Sequence, residues 1–533
     1  MACANKTPKL CLGTITFLVM VLSLHTLVDN SVAVWLNHGS DITNDRNANE
    51  EVGISPRTVS KLRLRWKFLA GRDITATPAI ANGVAYFPSW NGNIYAVNTL
   101  NGGLIWQRNL HELTGLNGTG VTVNFTVSRT TPAIAGDLLI FGTYGPALIF
   151  AVSRFDGRLV WSTLLDPRPR AVITTSGTAY LGGFYVGVSS LEVALPANLC
   201  CTFRGSMVKV DVRTGRVLWQ TYTLPDNGGK RGGYAGAAIW GSSPAIDVKR
   251  RHVYVGTGQL YTAPAEVLKC QEEQNKQPGK PTGPDQCIGP DIHYNSILAF
   301  DIVSGEIVWS TQLGGYDVFY FVCLVPNNPD CPPGPNLDAD FGEAPMLLTI
   351  NLNGTGRDVA VAVQKSGFVW ALDRDNGDIV WFKLAGPGSL EGGGVWGAAT
   401  DGRRVYTNIV NADRKPFGVP PQTANSGGWV ALDVNTGRIL WTTPDPANDT
   451  AHGPVTVANG VVFAGSVAPT GPFYTMDAET GRILWTANTG ATVYGGASVS
   501  YGCVFIGSGY NVNLARFHPT WTPGTSLFAY CVV

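Results

Sequence analysis

The amino-acid sequence predicts an all-β protein: an eight-bladed β-propeller of four-stranded antiparallel blades, with an N-terminal strand closing the last blade. Two observations predict it. A motif D-x-x-x-G-x-x-x-W recurs seven times with fixed internal spacing, and one Trp-bearing strand-like stretch stands alone before the first copy. The Gly–Trp pairs are Gly102/Trp106, Gly157/Trp161, Gly215/Trp219, Gly305/Trp309, Gly377/Trp381, Gly437/Trp441 and Gly481/Trp485. The first position is Asp211, Asp301, Asp373, Asp433 or Asp477 in five copies, and Asn98 or Ser153 in the other two.

Each copy reads as a hairpin. In "GGWVALDVNTGRILWTT" (427–443) the apolar run before the Asp is rich in β-branched and aromatic residues and reads as a strand. The Asp accepts backbone hydrogen bonds in the turn, and the Gly takes the positive-φ position that closes it. "RILWTT" is the returning strand. A second strand pair precedes each hairpin, as in "HGPVTVANGVVFAGS" (452–466) with its "NG" turn. The unit is thus a four-stranded meander, too small to be stable alone. An eighth unit starts at "GGASVSYGCVFIGSG" (495–509) and reaches a third strand at "SLFAYCVV", but has no Trp strand. The orphan "LRLRWKF" (Leu62–Phe68, with Trp66) supplies it and closes a ring.

The 533 residues, 44% hydrophobic and 14% charged, are enough for a large core, and residues 34–533 are expected to form one propeller domain. Formal net charge is zero and no Lys/Arg cluster stands out, which argues against nucleic acid and anionic membrane surfaces as partners. Lys6 and Lys9 precede the apolar run Leu10–Leu24, which is short for a bilayer span, and small residues follow at Ser31–Ala33. Residues 1–33 therefore read as a cleaved signal peptide, with a retained anchor as the alternative. A secreted, extracellular protein without a membrane span is expected. Removing Cys3 and Cys11 leaves eight cysteines. Nearest-neighbour pairing would give Cys200–Cys201, Cys270–Cys287, Cys323–Cys331 and Cys503–Cys531, although spacing alone does not determine connectivity. N-x-[ST] sequons at Asn117, Asn124, Asn353 and Asn448 fit a glycosylated secretory product.

Strand order assigns the faces. The loops entering strand 1 and those joining strands 2 and 3 lie on one face, opposite the D-x-x-x-G turns, and converge on the axis. Entering strand 1 are Thr75, Arg129, Thr174, Thr175, Trp240, Asp338, Asp340, Trp396, His452 and Tyr494; the 2–3 connections hold Trp90, Ser189, Glu192, Gln259, Lys365 and Asn411. Acids, one Arg, one Lys, amides and flat aromatics around one axis suit a planar anionic ligand with a hard cation. Taken singly, each residue reads more readily as a polar loop cap; the convergence carries the argument.

The repeat resembles the tryptophan-docking motif of the pyrroloquinoline quinone (PQQ) dehydrogenases, and in detail the polyvinyl-alcohol-dehydrogenase-like branch with its plant-type homologues. The resemblance implies a PQQ-dependent alcohol or polyol dehydrogenase using calcium, or a lanthanide. "VGVSSLE" resembles the segment whose Glu binds the metal, here Glu192, with Ser189 touching the cofactor. "AAIWGSSPAID" resembles the segment whose Trp underlies the quinone, here Trp240. "SRTTPA" would place Arg129 on a quinone carboxylate, with Thr174 or Thr175 beside it, and Asn411 falls near a cofactor-holding Asn. "LDADFGEAP" resembles the segment of the catalytic base, either Asp338 or Asp340. "QKSG" puts Lys365 near the reactive carbonyl. If Asp338 is the base, Asp340 resembles the extra metal ligand of lanthanide-dependent relatives.

Three departures from the family pattern stand out. Gln259 replaces the metal-binding Asn that follows "GTG", moving the amide oxygen by about 1.5 Å against ligand distances of ~2.3–2.6 Å. The vicinal pair Cys200–Cys201 follows Glu192 instead of coming from an earlier blade. No C-x-x-C-H haem site occurs, so a separate electron acceptor is implied. The implied chemistry is metal-assisted hydride transfer, with an Asp as general base and Lys365 stabilising developing negative charge. A non-catalytic binding or scaffold propeller, or an enzyme reusing the acid-lined pocket without quinone, are the other readings.

Overall fold

The protein is represented by a computed structural model that describes residues 34–119, 123–276, 285–420 and 422–533; the expected signal peptide lies outside these residues. Eight antiparallel blades follow one another around an axis. Blade 1 runs from Ala79–Ala81 to Leu104–Asn109 and blade 7 from Thr456–Ala458 to Ile483–Asn488. Seven blades have four strands; the third gains a short fifth, Ala171–Val172. Blade 8 is built from Ser498–Ser500, Cys503–Gly507 and Ser526–Val532, and its outer strand is Leu62–Leu69, paired from Leu62↔Val532 to Leu69↔Ser526. The orphan strand closes the ring as the sequence predicts.

The repeated motif is a lock between blades. Asp433 Oδ1 accepts the backbone N–H groups of Asn435 and Thr436 at 3.1 and 3.0 Å, holding the turn, and Gly437 sits at φ +68°. A Cβ on Gly437 would lie 2.7 Å from the Trp381 ring of the preceding blade. Trp381 Nε1 then donates to the Val434 carbonyl at 3.0 Å. The same pairing recurs between Trp161 and Gly215, whose Cβ would meet the indole at 2.4 Å. At the closure, Trp66 docks on Gly102 of blade 1 and donates to the Thr99 carbonyl at 2.8 Å. Each Gly therefore serves both its own turn and the Trp of the preceding blade, while the Trp four residues after it docks on the next blade's Gly.

The segment from Val34 to Glu51 belongs to no blade and was not anticipated from the repeat. It runs around the axis against the innermost strands. Trp35 exchanges backbone hydrogen bonds with Ile80 of blade 1 at 2.9 and 2.7 Å. Carbonyls of Leu36, Ile42, Thr43 and Asp45 accept from Ile134, Ile246, Leu347 and Thr400 of blades 2, 4, 5 and 6 at 2.7–3.0 Å. Asn37 Nδ2 reaches Thr178 of blade 3 at 3.3 Å. The buried Arg46 guanidinium donates to the carbonyls of Val455 (2.6 Å) and Ala497 (3.4 Å), at blades 7 and 8. One strip of chain is thereby tied to all eight blades.

All four expected disulfides are present: Cys200–Cys201, Cys270–Cys287, Cys323–Cys331 and Cys503–Cys531. The second joins the helix Ala265–Asn275 to the loop after it, and the fourth bridges paired strands of blade 8. Among the described residues no helix is long and apolar enough to cross a membrane.

Candidate functional site

On the face where the strand 1 entries meet the 2–3 connections, a cavity of 380 Å³ opens around the axis. That size lies within the range of small-molecule sites. Its wall brings together Arg129, Thr174, Ser189, Trp240, Gln259, Asp338, Asp340 and Lys365, residues spread over more than 230 positions of sequence. Trp396, His452 and Tyr494 also line it.

One side is acidic and basic at once. Lys365 Nζ lies 3.1 Å from Asp338 Oδ2 and 2.9 Å from Asp340 Oδ1, with all three side chains buried. Burial works against the Lys365 ammonium, but the two carboxylates outweigh it and hold its pKa above the ordinary lysine value. Burial, with repulsion from Asp340 and Asp317, pushes the Asp338 carboxyl up to about 8 against the pull of Lys365. Trp240 Nε1 donates to Asp340 Oδ2 at 2.6 Å, and Lys365 Nζ stands 5.3 Å from the centre of the indole ring. Asp340 is thus held from two sides, whereas Asp338 Oδ1 has no hydrogen-bond partner among the described residues.

This loop is shaped by a residue the sequence did not single out. Buried Asp317 accepts the N–H groups of Asp338 (3.1 Å) and Ala339 (2.6 Å) and the Asn295 amide (3.1 Å). Its own carboxyl is pushed up to about 6 by burial, which those donors oppose. Asp338 adopts φ +50°, a left-handed conformation that Asp tolerates better than most residues, and the Asp317 carboxylate holds its N–H in place. No motif surrounds Asp317 in "GGYDVFY", so only the fold reveals it.

Another part of the wall is cationic and aromatic. The Arg129 guanidinium stacks 4.2 Å from the Trp396 ring centre and lies 5.9 Å from both Tyr144 and Tyr494. No carboxylate is paired with it among the described residues. Burial disfavours its charge, yet the surrounding tyrosines, Tyr510 first, hold its pKa above the ordinary arginine value. Beside it, the buried Thr174 hydroxyl has no partner among the described residues. A buried cation without a counter-charge, next to an unused hydroxyl and flat rings, calls for an anionic group from outside the chain.

Three expected site residues are committed elsewhere. Thr175 donates its hydroxyl to the Ile239 carbonyl at 2.8 Å, so Thr174 is the threonine at the cavity. Asn411 holds its own loop, donating to the carbonyls of Lys415 (2.8 Å) and Ser426 (2.9 Å) and accepting from Lys415 N at 2.9 Å. Glu192 turns both carboxylate oxygens to the chain after the vicinal disulfide: Oε2 accepts Thr202 N (2.7 Å) and Phe203 N (2.8 Å), and Oε1 the Thr202 hydroxyl (3.2 Å). Gln259 stays at the cavity, its amide donating weakly to the Phe319 carbonyl at 3.4 Å.

These positions bear on the implied cofactors. Arg129, Thr174 and the indole walls fit a planar polycarboxylate such as PQQ. The donor set for a hard cation is not assembled: Glu192 faces backbone amides, Asp340 faces Lys365 and Trp240, and no group of three acidic, His or Cys ligands converges among the described residues. The expected metal trio of Glu192, Gln259 and Asp340 does not fit a cation as arranged.

The sequence also left Glu391 aside. Its oxygens lie 3.0 Å from His452 Nε2 and 2.7 Å from His518 Nε2 at the cavity mouth. Burial raises its pKa, but those imidazoles more than offset this and hold it well below the carboxylate range.

The PQQ_2 family profile, described as outer membrane protein assembly factor BamB, matches residues 63–311 and 425–517. Polyvinylalcohol dehydrogenase of a Pseudomonas species is 29% identical over 459 residues, covering 81% of this chain and 64% of that protein. The polyvinylalcohol dehydrogenase of Sphingopyxis sp. (strain 113P3) is 28% identical over 483 residues, covering 83% and 66%. The chain thus spans slightly under two thirds of the length of these relatives. Among solved structures, quinohemoprotein alcohol dehydrogenase from Comamonas testosteroni superposes with a TM-score of 0.70 at 18% identity, covering 94% of this chain and 80% of that one. With the family profile matching more than half of its residues and the blade lock repeated around the ring, the chain belongs to the PQQ-type quinoprotein β-propellers.

Proposed function

We propose that the protein is a secreted PQQ-dependent dehydrogenase that oxidises a small alcohol or polyol and passes electrons to a separate acceptor. The observation that carries this reading is Arg129: a buried guanidinium against Trp396, without a carboxylate partner, beside the unused Thr174 hydroxyl. The same cavity is lined by the Lys365–Asp338–Asp340 cluster. A flat acid held by Arg129 at one end would place its other end near the Lys365 ammonium. The relatives named as polyvinylalcohol dehydrogenases support the reaction class.

When bound, PQQ would supply the two-electron acceptor for the carbinol hydride. The chain supplies position, charge and a base. Arg129 and Thr174 would anchor the carboxylates, and Trp240 and Trp396 would form apolar walls that exclude water. Lys365 places a buried positive charge where negative charge develops. Asp338 is assigned as general base, because its Oδ1 is unengaged and its raised pKa suits a proton acceptor near neutrality. Asp340, held by Trp240 Nε1 and Lys365, orients both.

Titrating the apo-protein with PQQ, with and without calcium, and following the bound-quinone absorbance tests this. Saturable binding that weakens in Arg129→Gln is the expected result. A wild-type protein that binds no quinone overturns the reading. The second reading, a propeller that binds without catalysis, draws on one observation: Glu192 satisfies backbone amides instead of facing the cavity. Saturable binding with no alcohol-dependent reduction of an artificial electron acceptor would favour it.

A further inference from the structure

We propose that the axial segment formed by residues 35–48 supports the binding site from behind its wall, and that His38 is the positioning residue through which it acts. The proposal rests on the reading of Arg129 as an anion anchor. His38 is buried, its Nε2 lies 2.6 Å from the Trp396 carbonyl oxygen, and its Nδ1 lies 3.4 Å from the Thr77 hydroxyl. A carbonyl only accepts, so Nε2 carries the proton and Nδ1 is left to accept from Thr77. Burial, with the charges of Arg46 and Arg129, holds the imidazole neutral by lowering its pKa well below the usual value. That agrees with the tautomer required by the geometry.

Trp396 needs such a grip. Its φ is +73°, a region that a bulky residue occupies only under constraint. Its indole Nε1 donates to Tyr494 Oη at 2.8 Å, and its ring carries the Arg129 guanidinium at 4.2 Å. The hydrogen bond from His38 therefore fixes the backbone of the residue whose ring supports the site's unpaired cation. His38 also borders the small space beneath Arg129 and Thr174 on the axis.

The blades leave room for this segment. A Cβ on Gly397, directly after Trp396, would lie 2.8 Å from Arg46 Cδ and 3.3 Å from His38 Nε2. Arg46 in turn donates from Nη1 to the His38 carbonyl, fixing the backbone that presents the imidazole. Segment and cavity floor are built against one another. A loss at His38 is transmitted through Trp396 to Arg129, without His38 touching the ligand.

The test compares His38→Leu with His38→Gln, whose amide can place a donor at similar reach. His38→Leu is expected to weaken PQQ binding about tenfold, the effect of losing one well-placed hydrogen bond, and to change the near-UV circular dichroism of the indoles. His38→Gln is expected to recover most of both. The spectral difference should vanish in a Trp396→Phe background. Unchanged affinity and unchanged near-UV signal in His38→Leu, with only a lower melting temperature, overturn the proposal. Failure of the Gln variant to restore either signal does so as well. If wild type binds no quinone, the previous reading falls, and His38 is judged on the indole signal and its dependence on Trp396.

Discussion

Lys365 carries opposing demands. Its ammonium must balance two buried carboxylates and still present positive charge to the cavity. Lys365→Met would remove the cation that draws the Asp338 carboxyl down, so Asp338 should hold its proton to still higher pH and lose its role as a base. Loss of turnover by at least about 100-fold is expected, from the removal of general-base and charge stabilisation together. Asp338→Asn should retain quinone binding and lose turnover to a similar degree, whereas Asp340→Asn should disturb both, since it releases Trp240 and Lys365. A pH profile of kcat/KM separates these roles: in wild type it should rise through about pH 8 as Asp338 loses its proton, and in Asp338→Asn that limb should disappear. Glu192 belongs to a different category. Glu192→Ala orphans the N–H groups of Thr202 and Phe203 and should lower stability by ~1–3 kcal/mol. Quinone affinity should stay the same with calcium present or chelated; a calcium-dependent affinity lost in Glu192→Ala would contradict the observed carboxylate orientation.

The same reasoning applies to the repeated elements. Gly437→Ala forces a Cβ into the Trp381 ring at 2.7 Å from a residue already at φ +68°, so it damages its own turn and the preceding blade's dock. A loss of at least about 2 kcal/mol is expected by chemical denaturation. Removing the closing strand is harsher. Deleting through Phe68 strips the pairing partner from Ser526–Val532 and removes buried Trp66 and Leu62. Such a protein should lose its cooperative unfolding transition, because an open edge and a lost indole dock occur at the same junction and the axial strip that ties the eight blades goes with them. A truncated chain melting within a few degrees of the intact one would show that the ring depends neither on this closure nor on the axial strip.

For the whole molecule, buried carboxyls set an unusual pH response. Asp45, Asp338 and Glu343 are each pushed up to about 8, all three chiefly by burial. In the unfolded chain such groups lose their protons near pH 4. Between those values the folded state holds more protons than the unfolded one, so stability falls as pH rises. His38 works in the opposite direction, but only below about pH 6.5, where the unfolded imidazole takes up its proton. The melting temperature should therefore increase as pH is lowered from about 8.5 to about 6.5. A melting temperature that drops over that interval would mean these acids are ionised in the fold.

Much of this architecture was legible in the chain itself. Fixed Asp–Gly–Trp spacing encodes a turn and the dock of one blade on the next, and both are short-range facts of geometry that survive seven repetitions. The orphan Trp66 strand and the face carrying the cavity follow from that order; the disulfide connectivity does not, and the closed structure decides it. What the tertiary structure alone decided is the choice of partner for each polar side chain. Glu192, Thr175 and Asn411 sit in the loops the repeat assigns to the axis, yet their hydrogen bonds go to backbone. Asp317, Glu391 and His38 carry no motif, yet they hold the loops and rings of the cavity. Trp240 and Asp340 meet across 100 positions, and His38 and Trp396 across 358. Local spacing dictates the backbone and thus the ring. The partner of a buried polar atom depends on which distant groups the closed ring brings within about 3 Å, a distance that no pattern within one repeat can specify.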